Sequence, residues 1–209
     1  MPEPVQQVMG KAAPLEADDV DTDQIFPAQF LKVIERNGLE RFLFRRWRYD
    51  ESGNLHGRFV LDKPEFRGSR ILVAGKNFGI GSSRENAVWA LTDAGIGCVI
   101  ASSFGDIFYN NASKNGLVCV RLPEDAVRLL RGRAGLANLT LSVDLASQTL
   151  SDGMTTTPFA IEPHIKERLL NGTDDVAFTL ENYEEAITAY EMRMPRFFLP
   201  PGRTNPQET

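Results

Sequence analysis

The stretch Asn77-Phe78-Gly79-Ile80-Gly81-Ser82-Ser83-Arg84-Glu85-Asn86 places two glycines, two hydroxyls and an arginine side by side. Ser69 to Ala74 ahead of it reads as a short buried strand. Behind it Ala87, Trp89, Ala90, Leu91 and Ala94 recur at helical spacing until Gly95. A strand, a glycine loop and a helix start make a receptor for carboxylate or phosphate, because the first N–H groups of a helix lack intrahelical partners and glycine lets the backbone approach a ligand. Arg84 could add a bidentate fork. The common phosphate motifs do not fit: a dinucleotide fingerprint from Gly79 needs glycine where Arg84 stands, and no Gly-Lys-Ser/Thr triplet exists for a P-loop. A nucleophile elbow centred on Ser83 would need glycine in place of Glu85, and only His56 and His164 could serve a hydrolase as base. The plain alternative is that Ser82 or Ser83 caps the following helix and the glycines make a tight turn.

A second segment, Asp18-Asp19-Val20-Asp21-Thr22-Asp23-Gln24-Ile25-Phe26-Pro27, carries spaced carboxylates. It is no calcium loop of the EF-hand type, since Gln24 and Phe30 occupy the positions that need glycine and glutamate. Either it is a solvated acidic turn or its carboxylates sit beside cations that they orient, and spacing leaves both open.

The elements around these segments alternate. Gly97 to Ala101 and Leu117 to Leu122 read as strands, Phe104 to Ala112 and Pro123 to Arg131 as helices. From Leu139 to Leu145 apolar residues alternate with polar ones, and a second run around Phe159 and Ile161 follows the turn Ser151-Asp152-Gly153, which predicts a half-exposed antiparallel pair. His164 to Leu170 and Asn182 to Met194 read as closing helices. The expected class is α/β with a parallel core and an antiparallel addition, in a single domain over 1–209 whose ends, 1–18 and 195–209, are expected to be loosely ordered.

The chain has 209 residues, a formal net charge of −5, 42% apolar residues and two cysteines. It is long enough to bury a core without disulfides. No block of Lys and Arg marks a nucleic-acid or anionic-membrane surface, no apolar run approaches the ~18 residues of a membrane span, and Met1-Pro2-Glu3-Pro4 opens no secretory leader. A cytoplasmic protein binding neither nucleic acid nor membrane is expected. Cys98 and Cys119 sit in strand-like runs and read as buried hydrophobes, and two thiolates cannot hold an iron–sulfur cluster alone.

Asp21 to Leu31, Asn77-Phe78-Gly79 with Gly81-Ser82-Ser83-Arg84-Glu85, and Ser103-Phe104-Gly105-Asp106-Ile107-Phe108-Tyr109-Asn110-Asn111 closely resemble the small subunits of bacterial 3-isopropylmalate dehydratase, of the aconitase superfamily. Trp47-Arg48-Tyr49, Trp89-Ala90-Leu91-Thr92-Asp93 and Ala186 to Tyr190 extend the likeness over most of the chain. The resemblance implies a swivelling β/β/α three-layer domain of a hydro-lyase in leucine biosynthesis. It would act as a heterodimer with a large subunit that carries a [4Fe–4S] cluster, while this chain binds no metal or cofactor itself. It implies Ser82 as the base, Asp23 near the reacting centre, and Ser83, Arg84 and Thr22 as residues binding a small dicarboxylate. Ile80 and Asn86 stand where the family usually has Cys and His, and Asn37 where relatives commonly show Thr, beyond Phe30 to Val33, a stretch that in related enzymes borders the substrate's variable side chain. A paralogous hydro-lyase for methylmalate, dimethylmalate or another short dicarboxylate, or a noncatalytic carboxylate- or partner-binding domain, are the alternatives.

Overall fold

A computed structural model describes residues 2–32, 37–173 and 175–194. Among them, β1 (Gln7–Pro14), β2 (Ile71–Val73), β3 (Cys98–Ala101), β4 (Val118–Arg121), β5 (Thr140–Asp144), β6 (Thr149–Ser151) and β7 (Thr156–Pro158) form one seven-stranded sheet in the order β4-β3-β2-β1-β5-β6-β7. The β4-β3-β2-β1 half is parallel and the β1-β5-β6-β7 half antiparallel. The class is α/β with a mixed sheet, as expected.

Residues 2–18 are not a loose tail. They contain β1, the central strand that joins the two halves: Gln7–Lys11 pair with Asp144–Thr140, and Ala12–Pro14 pair with Ile71–Val73. Small residues make this possible. Ala12 and Ala13 are fully buried, and a Cβ on Gly10 would lie 2.8 Å from the Cβ of Arg70. The antiparallel addition also differs from expectation. β5 pairs with the three-residue β6, and Ser151-Asp152-Gly153 begins the link from β6 to β7, with Phe159 and Ile161 buried just beyond. A polar three-residue strand has no readable period.

The short α1 (Thr22–Ile25) and α2 (Arg45–Arg48) precede the strand-helix repeats. α3 (Glu85–Asp93), α4 (Asp106–Lys114) and α5 (Glu124–Ala134) follow β2, β3 and β4. α6 (Pro163–Asn171) ends on Gly172, whose φ of 65° is the left-handed stop expected of Asn171-Gly172. α7 spans Asp175–Glu191, beginning seven residues before the expected Asn182. α5 lies across β1, β2 and β3, and α3, α4 and α6 touch in succession. Cys98 and Cys119 are buried on adjacent strands, and burial pushes both thiols far above their ordinary range. Among the described residues no helix is long and apolar enough to cross a membrane. Residues 195–209, including the expected C-terminal tail, and Val33 and Arg36 lie outside the described residues.

Phe78, Phe104 and Phe108 pack edge-on and stacked beneath the glycine loop, with Phe78 fully buried. A Cβ on Gly79 would fall 2.2 Å from Cγ of Phe108, and its φ of +77° is one that side chains resist. Gly79→Ala is therefore expected to cost about 3 kcal/mol, combining overpacking with left-handed strain. That lowers the melting temperature by roughly 6–12 °C in a protein of this size. An unchanged melt would show that the loop and Phe108 can separate freely.

Candidate active site

Three loops leave the carboxyl ends of neighbouring parallel strands: residues 15–21 after β1, 74–84 after β2 and 102–105 after β3. Open α/β sheets bind ligands at that edge. Asn77 knots the three together from a left-handed conformation, φ +55°. Its Nδ2 donates to Asp19 Oδ1 at 2.6 Å, its backbone N–H to Ser103 Oγ at 2.8 Å, and its Oδ1 accepts from Ser103 Oγ at 2.9 Å. Gly79 N–H donates to the Val20 carbonyl at 2.7 Å and Thr22 N–H to the Ile80 carbonyl at 2.9 Å. The acidic segment and the glycine loop, about 60 residues apart, thus run side by side.

Ser82 and Ser83 are exposed on this surface. Neither caps α3: the cap residue is Arg84, with no side-chain bond to the helix. The backbone N–H groups of Ser82, Ser83, Arg84, Glu85 and Asn86 donate to none of the described residues. The Ser82 hydroxyl therefore stands at the positive end of a nine-residue helix among unsatisfied donors, an arrangement that favours an oxyanion. Thr22, expected to bind substrate, is buried, and its hydroxyl donates to the Ser82 carbonyl at 2.8 Å. It positions the serine.

The aspartates resolve into separate jobs. Asp21 caps α1, accepting from Gln24 N–H at 2.7 Å in a reciprocal capping box. Asp23 faces cations. Its Oδ1 accepts from Ala28 N–H at 2.8 Å and from Arg84 Nη1, and its Oδ2 pairs with Arg46 Nη1 at 2.9 Å. The Ala28 N–H, then the guanidinium of Arg84, then that of Arg46 hold the Asp23 carboxyl below its usual range, against the opposing pull of burial. Of the two readings left open by spacing, the cation-orienting one describes Asp23. Arg84 also donates from Nη1 to the Phe26 carbonyl at 3.2 Å, which leaves Nε and Nη2 without partners among the described residues.

Arg46 is the residue that sequence reasoning missed. It lies in α2 among Arg45, Arg46 and Arg48, and nothing in that run distinguishes it. α2 is launched from Phe44, a fully buried aromatic held at φ +50°, ψ 36°, a conformation that costs of order 1–2 kcal/mol. Stacking of Phe44 on Trp47, tilted packing on Phe59 and a 2.8 Å bond from Phe44 N–H to the Ile25 carbonyl maintain it. Arg48 is internal: it grips Asp62 through Nε and Nη2 and donates to the Glu40 and Leu43 carbonyls. Glu85 accepts from Asn115 Nδ2 at 2.8 Å, and Asn115 accepts from Trp89 Nε1 at 2.9 Å, so these two motif residues tie α3 to α4. Ile80 is half-buried, and the Asn86 side chain has no partner among the described residues. A hollow of about 530 Å³ opens between Pro14–Ala17 and Trp47, Phe59 and Lys63, and none of the expected site residues lines it. We place the site at the loop cluster because convergent polar groups, rather than hollow volume, are what chemistry requires.

The residues present do not fit an iron–sulfur cluster. The chain's two cysteines are buried inside the sheet, and no three His, Cys, Asp or Glu converge among the described residues.

Residues 2–125 match the aconitase C-terminal domain family. The 3-isopropylmalate dehydratase small subunit of Oceanobacillus iheyensis is 52% identical over 191 residues, covering 90% of this chain and 98% of that one. The protein of the same name from Rubrobacter xylanophilus is 51% identical over 196 residues, covering 93% and 97%. A crystal structure of 3-isopropylmalate dehydratase from Methanocaldococcus jannaschii superposes with a TM-score of 0.63 at 26% identity, covering 88% of this chain and 99% of that one. With its glycine loop, uncapped helix and paired Asp23 on a sheet of the same fold, this chain belongs to the family of 3-isopropylmalate dehydratase small subunits.

Proposed function

We propose that this chain is the small subunit of a 3-isopropylmalate dehydratase, which interconverts 2-isopropylmalate and 3-isopropylmalate by dehydration and rehydration in leucine biosynthesis, in the cytoplasm. The observation that carries the reading is the exposed Ser82 hydroxyl at the bare start of α3, beside an arginine held by Asp23.

A proton next to a carboxylate is a weak acid, and removing it needs a base whose charge is stabilised as it forms. Ser82 takes that proton. The unsatisfied N–H groups of Ser82 to Asn86 and the helix dipole lower the cost of its alkoxide form. Thr22 fixes the Ser82 backbone, Arg84 offers its unbonded Nε and Nη2 to a substrate carboxylate with Ser83 as a further donor, and Asp23 keeps Arg84 in place. Ser82 returns the proton when water adds back to the other carbon. The [4Fe–4S] cluster that the aconitase relationship implies belongs to a large-subunit partner, because this chain lacks the thiolates to hold one.

Co-expression with the cluster-bearing large subunit under anaerobic conditions, followed by hydration assays, tests this. Turnover is expected to be most efficient with isopropylmaleate. Higher kcat/KM with citraconate or dimethylmaleate would assign the chain to a sister hydro-lyase, an outcome for which Ile80 and Asn86 beside the loop give a reason. Binding without turnover would leave only a carboxylate- or partner-binding domain.

A further inference from the structure

Asp23 is one negative charge between two positive ones. Its Oδ1 is filled by Ala28 N–H and Arg84, its Oδ2 by Arg46, so the carboxylate has no free oxygen and the trio retains a surplus positive charge. The neighbouring acids do not cancel that charge by contact: Asp21 is spent on the α1 cap, Glu85 on Asn115, and Asp19 on Asn77. The two arginines differ in placement. The Arg84 side chain is 14% exposed, whereas that of Arg46 is 64% exposed and pairs through Nη1. Nε and Nη2 of Arg46 have no partner among the described residues. The strained Phe44 turn sets α2 against α1, and strained backbone is retained where something depends on the geometry it imposes.

We infer that Arg46 is a second substrate-binding cation, taking one carboxylate of the dicarboxylate substrate while Arg84 takes the other, with Asp23 as the shared brace that holds both guanidinia. This rests on the function proposed above. It requires the substrate to carry two anionic groups, which accounts for a site with two guanidinia and one protein carboxylate.

The test uses the assembled enzyme carrying Arg46→Gln, Arg46→Lys or Arg45→Gln in this chain, with KM and kcat measured on isopropylmaleate, citraconate and dimethylmaleate and complex formation followed by size-exclusion chromatography. Arg45 stacks over the Tyr49 ring at 3.8 Å, and its loss removes the same charge from the same helix. Arg46→Gln is expected to raise KM about tenfold or more with kcat within about threefold. Arg46→Lys should recover part of that, and Arg45→Gln should leave KM within about twofold. Circular dichroism on each variant establishes that it folds, and Arg46→Lys keeps the experiment decisive if the glutamine variant does not. A KM unchanged in the folded Arg46 variants of an active enzyme overturns the inference and leaves the proposed function standing. A defect confined to complex formation, with normal KM once the large subunit is in excess, overturns it in favour of a docking role. A wild-type assembly inactive on all three substrates removes the proposed function and this inference together.

Discussion

Ser82→Ala is expected to lower turnover of the reconstituted enzyme by about a thousandfold, within the range by which general-base groups contribute. KM should change little and assembly with the large subunit should be intact. The structure separates the chemical effect from a structural one unusually well at this position. Ser82 is exposed, its hydroxyl bonds to none of the described residues, and α3 takes no cap from it. The bond that anchors the loop uses the Ser82 carbonyl, accepting from Thr22 at 2.8 Å, and survives the substitution. Stability should therefore stay within ~0.5 kcal/mol of wild type, the usual range for a surface change. Rates from progress curves and a thermal melt on the same preparation check both halves. Turnover within about tenfold of wild type would remove Ser82 from the chemistry, since a lost base cannot be that well replaced by water.

The strand-loop-helix around Ser82 is legible in the sequence because each part has a local cause: an apolar run, glycines at positions that tolerate no side chain, and helical spacing after Glu85. β1 is not legible for a local cause too. Its residues are mostly small or polar, its one large apolar side chain, Met9, faces solvent as Gln7 does, and its register is set by partners about 60 and 130 residues away rather than by its own pattern. The same limit applies at the site. Asp23 can be picked out by residue type, but its role depends on Arg84, 61 residues on, and on Arg46, which only the buried Phe44 turn brings within 2.9 Å. Thr22 is likewise picked out by its motif, but its burial and the bond from its hydroxyl to the Ser82 carbonyl could not be read from the sequence, because the partner lies 60 residues on.

Asp23→Asn should cost more than either arginine pairing alone. The amide keeps the shape and can still accept from Ala28 N–H, so the change removes charge rather than volume. Arg84 is then largely buried without a counterion, which for a pair of this partial exposure is expected to cost about 1–3 kcal/mol. Turnover should fall about a hundredfold, because Arg84 loses its brace next to Ser82 and Arg46 is released at the same time. The pH dependence has a definite sign. The Asp23 carboxyl lies below its usual range in the folded protein, so its stabilisation is fully present above the unfolded value of about 3.9 and is lost as pH falls through the lower folded value. Urea midpoints of wild type and Asp23→Asn should differ by a constant amount from about pH 7 to pH 5 and converge below pH 4. A gap that persists in acid would point to a steric cause. Combining Asp23→Asn with Arg46→Gln should raise KM by less than the product of the single effects, because once the carboxylate is gone Arg46 is already out of register. Multiplicative effects would mean that the two residues reach the substrate independently and that Asp23 braces only Arg84.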